Sequence, residues 1–240
     1  MKLRDLRARF ATRRGTKKTG GRRWGRGLKI AVPLVVVAVG VLVWLFGFSS
    51  VFALKVVNVH GTSVLTPDEV LNRAEAPIGL PLARVDERAV GERVAGIAAV
   101  DEVTVSRRLP DKLEISVTER VPVFAVGNGD QVMLVDHVGA VFPGPRSDDL
   151  LAGEGPMGDP ELLAEAATVV KALPPDLRAR AQRVVFTTSD SITVHLDDDV
   201  EVFFGSAEEA EFKAQVAWAL TRGTLDKHID VSAPTRPSTR

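Results

Sequence analysis

The chain has 240 residues, enough for one or two domains, and equal numbers of basic and acidic side chains. It contains no cysteine, which excludes a disulfide framework and any thiolate metal site. The zero net charge hides an asymmetry: residues 1–29 hold twelve Lys and Arg against one acid, Asp5, so an arm of +11 precedes a body of −11.

The arm interleaves its Arg clusters with Gly and Thr, a composition that predicts disorder. Residues 30–54 then carry no charge, and IAVPLVVVAVGVLVWLFGF, residues 30–48, is apolar on every side. As a helix these residues rise roughly 28 Å, close to the ~30 Å hydrocarbon core. Trp24 and Trp44 lie near the two ends, where indole rings favour the membrane interface. The pattern predicts a transmembrane helix over 30–50, with the arm cytoplasmic and the remainder outside. A cleaved signal peptide is the rival, with Val51-Phe52-Ala53 as a weak site, but its apolar region is usually ~7–15 residues. Contact with anionic lipid accounts for the basic arm without nucleic acid.

FALKVVNVHG, residues 52–61, reads as a strand closed by glycine. Thr66-Pro67-Asp68-Glu69 has the form of a capping box, and Val70, Leu71 and Ala74 give the following helix an apolar face. Asp86 caps a second helix, with Val90 and Val94 on one side and Gly96 at its end. VTVSRRLPDKLEISVTERVP, residues 103–122, alternates with period two on both sides of Pro110-Asp111. It predicts a hairpin with Val103, Val105, Leu113, Ile115 and Val117 on the buried face. Strand, helix, helix, strand, strand predicts a three-stranded sheet with two helices over residues 51–121. Pro122 cannot donate within a sheet, so Glu119-Arg120-Val121-Pro122 marks a join between domains. Arg107, Glu119 and Arg120 are the candidates for setting that join or meeting a partner. An exposed ion pair worth ~0–1 kcal/mol is the plainer account.

Residues 122–233 read as a second, mixed, mostly β domain with two main helices. Asn128-Gly129 predicts a hairpin turn. Asp159-Pro160-Glu161 starts a helix with Leu162, Leu163, Ala166 and Val170 on one side. Residues 183–187, 192–196 and 200–204 form a meander. Ser206 to Glu209 reads as a second capping box, before a helix carrying Phe212, Val216, Ala219 and Leu220 inward. Residues 228–233 make a final strand, and residues 234–240 read as a disordered tail. The fold class is α+β: basic arm, one transmembrane helix, then two folded domains.

Chemistry is sparse. His60, His137, His195 and His228 are scattered, with no paired ligand spacing. Asp136-His137 reads as a turn, and Asp197-Asp198-Asp199 as a solvated turn without calcium-loop spacing. No nucleophile elbow or phosphate loop is present. No catalytic, cofactor or metal residue is identified, and neither nucleic acid nor a small-molecule substrate is expected.

The chain resembles the bacterial cell-division family FtsQ/DivIB along almost its whole length. The matching pieces are VVNVHG at 56–61, TPDEV at 66–70, IGLPLARVD at 78–86, LVDHVGAVF at 134–142, GSAEEAEFKAQVAWAL at 205–220 and IDVSAPTRP at 229–237. Residues 100–126 resemble the family pattern V-x-R-x-x-P-x-x-L-x-I-x-V-x-E-R-x-P, with Val105, Arg107, Pro110, Leu113, Ile115, Val117, Glu119, Arg120 and Pro122 in place. The Pro/Gly-rich stretch 143–160 departs from it. The resemblance implies a POTRA domain over 51–121 and a family-type domain over 122–233. It further implies a non-enzymatic, single-pass type II scaffold of the plasma membrane at the division septum, binding FtsB- and FtsL-like partners. The final strand leaves no sequence to pair its outer side. Ile229, Asp230, Val231, Ser232 and Ala233, with Phe204 and Trp218 as apolar anchors, are therefore the candidate surface for strand addition by an FtsB-like segment. A membrane-anchored envelope enzyme and a POTRA-containing transport module are the competing readings.

Overall fold

The computed structural model describes residues 24–48, 50–127, 132–223 and 226–239. The predicted hairpin turn at Asn128-Gly129 and arm residues 1–23 lie outside the described residues. The chain divides into two units, Met1–Ser49 and Ser50–Arg240.

In the first unit, helix α1 spans Trp24–Phe48 and contains Pro33. It overturns the expected transmembrane span over 30–50. Among the described residues no helix is long and apolar enough to cross a membrane. Trp44 is exposed, and the side chain of Trp24 is outside the described set.

The second unit opens with β1 (Val56–His60), α2 (Pro67–Ala74), α3 (Glu87–Ala95), β2 (Val100–Arg108) and β3 (Lys112–Glu119). Their sheet runs β1-β3-β2, with β1 parallel and β2 antiparallel to β3. The Thr66 box closes as its spacing dictates. Thr66 Oγ1 accepts the Glu69 N–H at 3.3 Å, and Glu69 Oε2 accepts the Thr66 N–H at 2.8 Å. Leu113, Ile115 and Val117 are buried against Val70, Ala74, Val90 and Val94, each full burial contributing ~1.5–3 kcal/mol for the larger side chains. Val103 and Val105 are only half-buried, because β2 is an edge strand.

The remaining elements are β4 (Phe124–Val126), β5 (Met133–Val135), β6 (Val141–Pro143), β7 (Leu151–Glu154), α4 (Pro160–Ala172), α5 (Pro175–Arg180), β8 (Ala181–Thr188), β9 (Ser191–Leu196), β10 (Glu201–Gly205), α6 (Ala210–Thr221), β11 (His228–Asp230) and β12 (Ser238–Thr239). They build one sheet in the order β12-β11-β10-β9-β8-β7-β4-β5-β6. The pairs β4/β7, β7/β8 and β10/β11 are parallel, so the sheet of the second domain is mixed, as expected, and the fold is mixed α/β where α+β was expected. Helices α4 and α6 bury Leu162, Leu163, Ala166, Val170, Ala214 and Ala217 against Phe124, Phe186, Phe204 and Ile229.

Strand β7 falls inside the Pro/Gly-rich stretch yet lies between β4 and β8. Its Gly153 is required by close packing. A Cβ there would stand 2.6 Å from the Phe124 ring, which meets Phe186 edge-on at 5.8 Å. The tail differs from expectation too: Ser238 and Thr239 pair antiparallel with Asp230 and Ile229.

Candidate functional site

Two places gather the residues singled out from the sequence. The first is the exit from β3. Glu119 turns its carboxylate to the loop before α2, where it accepts the N–H groups of Ser63 at 2.8 Å, Val64 at 2.9 Å and Leu65 at 2.8 Å. Desolvation pushes this carboxyl up, but the three N–H groups outweigh it and hold its pKa below the ordinary 4.5. Arg120 faces the other way. Its backbone N–H donates to Ala99 O, and its guanidinium reaches Ala98 O, Asp101 and the buried Asp136. Asp136 also accepts the N–H groups of Val138 at 3.0 Å and Ala140 at 2.8 Å, which folds residues 136–140 into a tight turn. Gly139, at φ +80°, is pressed to α4, where a Cβ would lie 2.0 Å from Pro160 O.

Arg107 stays within the three-stranded part. Its N–H donates to Glu87 at 2.9 Å and its guanidinium to Val85 O at 2.7 Å. The dense polar cluster of the hairpin thus has three separate tasks, and of Arg107, Glu119 and Arg120 only the last bridges to the β4–α4 region.

The carboxylate of Glu119 has an acid signature. Its lowered pKa contributes stability above about pH 4.5 that is lost as pH falls through the folded-state value. Glu119→Ala is expected to cost about 1–3 kcal/mol at neutral pH, since three N–H groups lose a charged acceptor. The difference from the parent should shrink on acidification, as read from denaturant unfolding at a series of pH values. A constant difference down to strongly acid pH would contradict this role.

The second place is the β10–β11–β12 corner. Glu201 N–H donates to Lys227 O at 2.8 Å and Val231 N–H to Phe203 O at 3.0 Å. Backbone groups of 227, 229 and 231 therefore face β10, and those of 228 and 230 face outward. The outer side is not open at Ile229 and Asp230, because β12 covers it. Asp230 Oδ1 accepts both the N–H and the hydroxyl of Ser232, at 2.9 and 2.7 Å, and starts the turn that returns the tail. Phe204, Ile229 and Val231 are fully buried, so the expected anchor Phe204 belongs to the core. Asp230 is half-buried, while Ser232 and Ala233 are exposed. Trp218 packs on the core from α6, with the Arg222 guanidinium 5.5 Å from its ring centroid.

A third residue was visible only as a lysine inside a helix. Lys213 is buried, and its ammonium donates to Phe204 O at 3.1 Å, Ser206 O at 3.0 Å and Ser206 Oγ at 3.3 Å. Burial pushes its pKa below the ordinary 10.5, against smaller opposing pulls from Glu208, Glu209 and Asp190. Ser206 therefore serves the ammonium. The expected capping box fails: α6 starts after Glu209, at φ 52°, with no side-chain cap. A polar residue flanking a buried strand end is the signal that could have paired Ser206 with Lys213.

Among the described residues no three His, Asp or Glu side chains converge as metal ligands. Residues 52–120 match the family model of the FtsQ-type POTRA domain, and residues 125–231 that of the C-terminal part of cell division protein FtsQ/DivIB. The chain is 37% identical over 242 residues to the cell division protein FtsQ of Streptomyces venezuelae, covering 95% of this chain and 89% of that protein. It is 37% identical over 227 residues to that of Streptomyces coelicolor, covering 87% and 85%. With that of Mycolicibacterium smegmatis it shares 35% over 225 residues, covering 90% and 66%.

Proposed function

Since the chain belongs to the FtsQ/DivIB family of cell-division proteins, which are not enzymes, we propose that it is a scaffold of the division septum whose β11–β12 corner receives a partner strand. The partners are FtsB- and FtsL-like division proteins. The observation that carries this reading is that the outer side of β11 is covered by exposed polar residues, Ser238 and Thr239, which bury no apolar side chain of their own. A longer partner strand displaces it, pairs with the outward backbone groups of His228 and Asp230, and gains more ladder bonds than β12 supplies. Asp230, Ser232, Ala233 and Trp218 then supply the side chains that read the partner, and the buried Phe204, Ile229 and Val231 hold the strand in register.

Two variants of the full chain test this with opposite signs. His228→Pro removes an outward N–H and leaves the bonds to β10 in place, so capture of an FtsB-like partner should be lost. Deleting residues 234–240 removes the competing strand, so capture should be kept or strengthened. A His228→Pro protein that stays folded by circular dichroism and binds undiminished would sink the edge reading.

A further inference from the structure

The end of the three-stranded sheet where the chain enters the second unit carries an unusual surface. Leu54 N–H donates to Leu80 O at 2.9 Å and Gly79 N–H to Leu54 O at 2.8 Å, which seats the loop before the 3-10 turn Leu82–Arg84 beside residue 54. Lys55 N–H donates to Asp111 O at 2.9 Å, which seats the β2–β3 turn beside residue 55. Three separate segments thereby meet at one end. Each places a large apolar side chain outward: Val51 is 59% exposed, Ile78 63% and Leu109 69%. Val56, at the start of β1, is exposed beside them.

The same segments carry long basic side chains. Lys55, Arg84, Arg108 and Lys112 are all exposed. The two acids of the turn region are drawn inward, Asp111 against Lys55 at 3.3 Å and Glu114 against Arg108 at 2.6 Å, with side chains only 21% and 27% exposed. Cationic heads thus share short, backbone-braced loops with apolar tips.

That combination has a definite complement. Apolar tips gain by leaving water, and their reach from tight loops suits the shallow boundary between headgroups and acyl chains. Lysine and arginine stems can lie along apolar surface while their heads meet anionic groups. A groove for a protein strand would instead offer unpaired backbone along a cleft, and these loops spend theirs on Leu54 and Lys55.

We propose that this end of the POTRA domain is a lipid-docking surface: Val51, Ile78 and Leu109 enter the headgroup boundary of an anionic bilayer, and Lys55, Arg84, Arg108 and Lys112 bind its headgroups. The contact is peripheral and requires no membrane-spanning helix. It fixes the distance of the β11–β12 corner from the bilayer, independently of whether that corner binds a partner strand.

The chain's lack of cysteine makes the test direct. Single-cysteine variants I78C and L109C of the full chain are labelled with an environment-sensitive fluorophore, with M157C, exposed in the other domain, as control. Vesicles of phosphatidylcholine and phosphatidylglycerol in equal parts should shift the emission of the labels at 78 and 109 to the blue and let brominated lipid quench them. The label at 157 should not change. High salt and the added change Lys112→Glu should reduce the shift, with circular dichroism unchanged. Labels at 78 and 109 that respond no more than the control overturn the proposal. So does an equal response to pure phosphatidylcholine. Shielding that is already complete without vesicles overturns it in favour of a second copy of the chain.

Discussion

Asp136→Ala should lower the stability of the Ser50–Arg240 unit by about 3 kcal/mol, the scale for breaking a buried ion pair from one side. Asp136 is 1% exposed and holds three donors: the Arg120 guanidinium and the N–H groups of Val138 and Ala140. Alanine leaves the two N–H groups without an acceptor in a turn pressed against α4, and it frees Arg120 from the second domain. Arg120→Ala should cost less, about 1–3 kcal/mol, since Asp136 keeps its two backbone donors. The double variant should cost less than the two single changes added, because the shared contact is removed only once. Urea unfolding of the four proteins, followed by circular dichroism, gives the coupling. Strict additivity would show that Arg120 and Asp136 do not act as a pair.

The second large effect is expected at Lys213. Lys213→Met keeps the methylene stem and removes the donor, leaving Phe204 O, Ser206 O and Ser206 Oγ short of a partner. The expected cost is about 1–3 kcal/mol at neutral pH. Its pH dependence has the same sign as that of Glu119 but falls in an alkaline window rather than an acid one. The folded state lowers the lysine pKa, so between that lowered value and 10.5 the unfolded chain binds the proton more tightly, and stability rises with pH. The neutral amine still carries N–H donors for the two carbonyls. The parent should therefore gain on the methionine variant as pH climbs through that window. A difference that narrows would mean that the charge itself, rather than the donor, holds β10 to α6.

How much could be read beforehand depends on how local each cause is. The Thr66–Glu69 box and the alternation through Leu113, Ile115 and Val117 depend on spacing within a few residues, and both appear where the pattern puts them. Strand β7 has no such pattern. Its sequence LAGE is shaped by the aromatic rings of Phe124 and Phe186, which arrive from distant strands. Strand β12 is two polar residues, defined only by the β11 edge that it covers. The apolar run over 30–48 invited a span that the described helix does not support. At the β10–β11–β12 corner, hydropathy marked Phe204 as a possible anchor without revealing that α6 lies over it. Lys213 was legible as a residue and illegible as a bond, since two of its three acceptors are backbone carbonyls.

The parallel pairing of β1 with β3 has a mechanical consequence. The chain enters this domain at the start of β1, beside Lys112 at the start of β3, and leaves it after Glu119 at the other end of β3. Tension between the two ends therefore pulls β1 and β3 in opposite directions along their common axis. The ladder from Val56↔Lys112 to His60↔Ser116 is loaded in shear, all its bonds at once, rather than unzipped one bond at a time. Force applied between the two ends of this domain meets a clamp, and only β2, on the far side of β3, lies outside the line of force.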